Sequence, residues 1–147
     1  HQLMNMHDAG LSEAEYIQVI RSKTAKLFEA SARLPSIVMG MDGRMETACA
    51  DYGQAIGTAF QIIDDVLDIT ADEAELGKPA GNDVHEGVYT LPVIPAAAAS
   101  AELRDLLGRR LDWPEVRTVV GLVATPEIIA SSMAVGSAIP SSARKPA

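Results

Sequence analysis

Gly57-Thr58-Ala59-Phe60-Gln61-Ile62-Ile63-Asp64-Asp65-Val66-Leu67-Asp68 closes an apolar series, Ala48, Tyr52, Ala55, Ile56, Ala59, Ile62, Ile63, Val66 and Leu67, that recurs at steps of three and four. That period predicts one long helix from about Arg44 to Ile69. On it Asp64 and Asp68 stand one turn apart on one face, with Asp65 about 100° round and Gln61 one turn earlier. Three carboxylates so close repel one another, and at a helix C-terminus they also oppose the helix dipole. A bound divalent cation relieves both penalties. Hard oxygen ligands with no cysteine cage or histidine cluster point to Mg2+. On the D-D-x-x-D pattern alone a solvated acidic helix end explains the same residues. Gly53 and Gly57 share a face of this helix and cost it up to about 1 kcal/mol each relative to alanine. Close approach by a neighbouring helix is the predicted compensation.

Working outward, Ser12 and Glu15 form a capping-box signature ahead of Tyr16, Ile17, Val19 and Ile20. The helix they start is expected to continue through Leu27, Phe28, Leu34 and Ile37, with a kink near Pro35, to a turn at 40–43. Residues 70–89 carry Gly77, Pro79, Gly81 and Gly87 without helical period and read as a long loop. Thr90 is expected to cap the next helix, with Pro92 in its first turn, Pro95 bending it, and a helical stretch over 96–107. Short weak helices and a frayed tail from Gly136 to Ala147 complete an all-α chain without internal repeats.

At 48% hydrophobic and 22% charged, the 147 residues suit one soluble domain able to bury a core. The net charge of −8 excludes a nucleic-acid surface, which needs clustered lysine and arginine. No apolar run reaches the roughly 18 to 20 residues of a membrane span, so the chain reads as not transmembrane and cytoplasmic. The single Cys49 excludes an intrachain disulfide and reads as a small buried apolar residue. His1, His7 and His85 share no metal-ligand spacing and read as surface residues, Trp113 as core or interface, and Asp72, Glu73 and Glu75 as a solvated loop face. Lys23 and Lys78 read either as surface lysines or as cations beside a metal-bound phosphate. The opening His1-Gln2-Leu3, without an initiator methionine, reads as a piece of a longer chain.

The aspartate stretch resembles the second aspartate-rich motif of the trans-isoprenyl (polyprenyl) diphosphate synthases. It is followed, as in that family, by Leu76-Gly77-Lys78-Pro79, Gly81-Asn82-Asp83, Glu86-Gly87 and Thr90-Leu91-Pro92. Upstream, Tyr16 through Val19-Ile20-Arg21-Ser22-Lys23-Thr24-Ala25-Lys26-Leu27-Phe28-Glu29-Ala30 is similar to the family's Lys-Thr helix, and Gln2-Leu3-Met4-Asn5 to the segment before it in bacterial octaprenyl-type members. The blocks keep family order and spacing over 2–94. The resemblance implies the C-terminal part of an isoprenoid-synthase helical bundle, with 1–135 as the C-terminal half of a polyprenyl synthetase domain. It implies Mg2+-dependent condensation of isopentenyl diphosphate with an allylic diphosphate. Asp64, and secondarily Asp68, would ligate magnesium, with Asp65 acting through water. Lys23 and Lys78 would contact the allylic diphosphate, Thr24 and Gln61 would line the cavity where the cation forms, and Phe60 would border isopentenyl diphosphate. The full-length protein would be a homodimer, and this half alone would be inactive.

Several features depart from the family pattern. Val88 stands where many relatives carry lysine, Pro35 and Pro95 occupy helical positions, the chain beyond Trp113 is unfamiliar, and the first aspartate motif is absent. Three other readings compete: a non-catalytic partner or regulatory subunit, an acidic helical bundle, and a terpene cyclase, whose second metal motif has a different spacing.

Overall fold

The computed structural model describes residues 8–71, 77 and 79–137, with Ser137 by its backbone alone. Among the described residues the elements are helices and turns, with no strand, as the all-α reading expects. α1 (Glu13–Ile20) begins at Ser12, whose hydroxyl accepts from the Glu15 N–H (3.3 Å) while Glu15 Oε2 accepts from the Ser12 N–H (2.9 Å). Without a break α1 passes through a π turn, Arg21–Ala25, into α2 (Lys26–Val38). Pro35 falls in the last turn of α2, where it removes a single backbone donor, and the helix continues past it to Val38. Gly40, at φ 64°, then ends α2: its N–H donates to Ile37 O (3.0 Å) and that of Met41 to Ser36 O (2.9 Å). These bonds satisfy carbonyls that the helix end leaves open.

α3 (Gly43–Thr70) is the predicted long helix, 28 residues or about 42 Å. Asp42 caps it by accepting from the Met45 N–H (2.9 Å). α2 lies along α3 at the two glycines. A Cβ on Gly53 would stand 2.4 Å from Phe28 O, and one on Gly57 would stand 2.7 Å from Ala25 Cα. The close approach expected from their spacing is therefore present. At the far end of this contact the Arg33 Nε donates to Glu46 (2.7 Å), tying α2 to the first turn of α3.

The expected 70–89 loop contains a helix of one turn, α4 (Asn82–His85). A single turn has no apolar period to reveal it. α5 (Val93–Ala99) starts at Pro92, and no side chain caps it. Thr90 contributes through its carbonyl, which accepts from Val93 N (2.9 Å) and Ile94 N (3.0 Å), so the expected hydroxyl cap is corrected. Pro95 is the third residue of α5, where no intrahelical donor is needed, and the bend expected there lies instead at Ser100. Ser100 is extended, and its hydroxyl accepts from the Leu103 N–H (3.2 Å) to begin α6 (Ala101–Leu107). The stretch expected over 96–107 is thus two helices.

α7 (Trp113–Val123) and α8 (Pro126–Ser137), 11 and 12 residues, replace the short weak helices expected. α7 carries its own capping box: Asp112 accepts from the Glu115 N–H (2.9 Å) and Glu115 from the Asp112 N–H (3.0 Å). α8 extends past Gly136, where fraying was expected; residues 138–147 lie outside those described. Ile62 and Ile69 of α3 join Val84, Leu91, Leu107, Val116, Val119 and Val123 in one core. Two readings change. His85, read as a surface residue, is half-buried and stacks on Trp113 at 4.2 Å and 5°, and Cys49, read as buried, is half-buried. Among the described residues no single helix is long and apolar enough to cross a membrane; α7 and α8 reach that composition only together, bent by 76°.

Candidate functional site

A cavity of about 320 Å³ opens where four segments meet. α1 contributes Tyr16 and Ile20, the π turn Lys23 and Thr24, α3 Gln61, Asp64 and Asp65, and the chain after α3 contributes Asp83, Glu86, Val88 and Thr90. The π turn matters here because its wider coil turns side chains away from a regular helical face, and such turns recur at functional sites. Lys23 and Thr24 sit on it. Opposite them α3 presents Asp64, exposed, and Asp65, of which 1% is exposed.

Asp65 is held on both oxygens. The Tyr16 hydroxyl donates to Oδ2, and Gln61 Nε2 donates to Oδ1 (3.1 Å). Gln61 Oε1 in turn accepts from the Thr24 hydroxyl (2.9 Å), so one chain of bonds joins α1, α3 and the π turn. Burial pushes the Asp65 carboxyl up to about 6, with the bonds from Tyr16 and Gln61 acting in the opposite direction. Burial, reinforced by the charge of Asp65, raises the Tyr16 phenol well above its ordinary range, so it remains a donor.

Asp64 and Asp68 lie one turn apart but meet different surroundings. Asp68 is buried: its Oδ2 accepts from the Asp83 N–H (3.1 Å) and its backbone carbonyl from the Gly81 N–H (2.7 Å). The carboxylate thereby satisfies a first-turn donor of α4, which accounts for a charge at the end of an apolar helix. Gly81 is left-handed at φ 78°, and a Cβ there would stand 2.5 Å from Val120 Cγ2, so this turn is also wedged against α7. Phe60 is outside the cavity lining, 54% exposed, with its ring 5.6 Å from that of Phe28. Lys78 lies outside the described residues.

Among the described residues no three His, Cys, Asp or Glu side chains converge as a ready-made metal cage. The donor chemistry suits magnesium all the same, because that ion takes one or two carboxylates and completes its shell with water and phosphate oxygens. Asp64 offers such a carboxylate at the cavity. Tyr16, Asp83, Glu86 and Thr90 line the same space, and the motif blocks that contain them assigned them no role in the site. For Tyr16 a signal existed, since a phenol on an apolar helix face requires a buried partner.

The polyprenyl synthetase family profile matches residues 1–121. The chain belongs to the polyprenyl synthetase family. It is 50% identical over 95 residues to octaprenyl diphosphate synthase of Escherichia coli (strain K12), a match covering 65% of this chain and 29% of that one. It is 40% identical over 99 residues to geranylgeranyl diphosphate synthase of Methanosarcina mazei, covering 67% and 30%. In structure it resembles heptaprenyl diphosphate synthase from Staphylococcus aureus, with a TM-score of 0.88 and 29% identity over 94% of this chain and 44% of that one. Decaprenyl diphosphate synthase from Rhodobacter capsulatus gives 0.80 and 32% over 94% and 44%. The chain therefore spans under a third of those two sequence relatives and under half of those two solved chains.

Proposed function

We propose that this chain forms the diphosphate-holding half of a polyprenyl diphosphate synthase, which joins isopentenyl diphosphate head to tail with an allylic diphosphate to build a long-chain product. The observation that carries the reading is the convergence of Lys23, Thr24, Gln61, Asp64 and Asp65, from segments distant in sequence, on one cavity. Magnesium held by Asp64, secondarily by Asp68 and through water by Asp65, would offset charge growing on the departing diphosphate. Lys23, with Lys78, adds positive charge at the same leaving group. Thr24 and Gln61 turn oxygens toward the space where the allylic cation develops, and Val19 and Ile20 keep water from it. Phe60, on the neighbouring face of α3, borders isopentenyl diphosphate.

The outer faces of α2 and α3 support a larger whole. Leu27, Leu34 and Val38 on α2, and Tyr52, Ile56, Phe60 and Ile63 on α3, are exposed large apolar residues. Contiguous exposure of this kind marks an interface. On this proposal residues 1–135 are one half of the domain, these faces receive the other half, and the complete protein works as a cytoplasmic homodimer.

Calorimetric titration with magnesium and a non-hydrolysable allylic diphosphate analogue tests the site. Heat is expected only when both are present, and Asp64→Ala or Lys23→Ala should weaken binding at least about tenfold, or about 1.4 kcal/mol. Binding untouched by Asp64→Ala would sink the assignment. Heat from the metal alone would favour the acidic-bundle reading.

A further inference from the structure

We infer that Tyr16 is a positioning residue of this site: through Asp65 it fixes which way the Gln61 amide faces. The inference draws its catalytic meaning from the function proposed above, but the geometry that carries it stands apart from that function. A carboxylate only accepts hydrogen bonds, so the Gln61 group at Asp65 Oδ1 must be its NH2, 3.1 Å away. Gln61 Oε1 is then committed to the other side, where Thr24 Oγ1 lies at 2.9 Å and must donate. Reversing the amide would set two acceptors against each other at Asp65.

This chain of consequence holds only while Asp65 keeps its place, and Asp65 is anchored on its second oxygen by the Tyr16 hydroxyl, which reaches it from α1 across 49 residues of sequence. All four residues line the cavity, and Tyr16 and Asp65 are buried. The result is a fixed polarity: Gln61 and Thr24 present oxygen, not N–H, beside one another at the π turn. An oxygen-lined wall suits an electron-poor centre forming in the cavity. Without the phenol, Asp65 keeps the backbone N–H of Leu91 but loses the side-chain donor from α1 at Oδ2, and the Gln61 amide is held less firmly in one orientation.

The test uses the whole chain labelled with nitrogen-15, following the side-chain NH2 of Gln61 by NMR hydrogen exchange. In the native chain this amide should exchange slowly. In Tyr16→Phe it should exchange about tenfold faster, equivalent to about 1.4 kcal/mol, while backbone protection along α3 stays the same. Unchanged exchange of the Gln61 amide in Tyr16→Phe overturns the inference. So does equal loss of protection along the α3 backbone, which would mean the tyrosine only stabilises the fold. If Tyr16→Phe does not fold, the native chain decides alone: a Gln61 amide exchanging as fast as those of exposed glutamines overturns it. Magnesium and pyrophosphate are added separately as a probe. Failure to bind them would remove the diphosphate reading and leave the positioning role of Tyr16 standing.

Discussion

Replacing Gly53 and Gly121 by alanine, one at a time, should move stability in opposite directions, although the chemical change is identical. Both glycines are inside helices, where alanine is intrinsically better by up to about 1 kcal/mol. At Gly121, on the exposed side of α7, an added Cβ meets nothing within 4 Å, so the gain should be realised. At Gly53 the new carbon would stand 2.4 Å from Phe28 O, 2.8 Å from Ala32 Cβ and 2.9 Å from Glu29 Cα. Two of these atoms are backbone, so no rotamer change relieves the overlap, and α2 must back away from α3 by roughly 1 Å, an overpacking that typically costs about 1–3 kcal/mol. Three contacts under 3.0 Å place the cost at about 2–3 kcal/mol, so against the propensity gain the net loss is about 1–2 kcal/mol. For a chain of this size each kcal/mol corresponds to roughly 3 °C in Tm. Thermal unfolding followed by far-ultraviolet circular dichroism should therefore show Gly53→Ala about 3–6 °C below the native chain and Gly121→Ala about 2–3 °C above it. Shifts of the same sign, or a Gly53→Ala chain as stable as the native one, would refute the reasoning that helix contact dictates glycine at position 53.

Two further outcomes follow from the site and from α7. Asp65 moves from 3.8 to about 6 on burial, so the folded chain holds this proton more tightly than the unfolded chain. Its contribution to stability is fully present below the unfolded value and is lost as the pH rises through about 6, amounting to about 3 kcal/mol. Denaturant unfolding in metal-free buffer should show that loss between about pH 4 and pH 7 in the native chain relative to Asp65→Asn; a difference that stays flat with pH contradicts it. Asp112→Ala removes the side-chain half of the α7 capping box and should cost about 1 kcal/mol. Equal midpoints in urea for this variant and the native chain would count against the cap.

Much of the fold was legible because its signals are local. The Ser12 and Glu15 pair announces α1, the apolar series from Ala48 to Leu67 announces α3, and the spacing of Gly53 and Gly57 announces the helix against them. What escaped has no local period. The single turn of α4 is specified by contacts from outside it, chiefly Asp68 and the packing of Gly81 on Val120. The interruption at Ser100 depends on a hydroxyl that also reads as an ordinary helical surface residue. Proline was over-weighted: Pro95 falls in the first turn of α5, where no intrahelical donor is needed, and Pro35 falls so near the end of α2 that little helix follows the one bond it removes. In the site, Lys23, Thr24, Gln61, Asp64 and Asp65 meet at one cavity. Tyr16 reads as part of an apolar face and as the start of the Lys-Thr helix, without a role in the site, since its partner is 49 residues away.

The π turn at Arg21–Ala25 has a consequence for how such a site is built and lost. A π turn holds one residue more than the α turn it replaces, so it absorbs an insertion without rotating the helices on either side. Tyr16 before it and Ala25 beneath Gly57 keep their phase because the surplus is confined between them. The lysine and threonine of the cavity thus ride on the part of the helix that the scaffold does not need in order to stay in register. A shortening by one residue at this spot should return an unbroken α-helix that keeps its packing face and changes which side chains face the cavity. Scaffold and chemistry are adjoining but separable, and a descendant of this fold that keeps the bundle while abandoning the reaction would need no change larger than that.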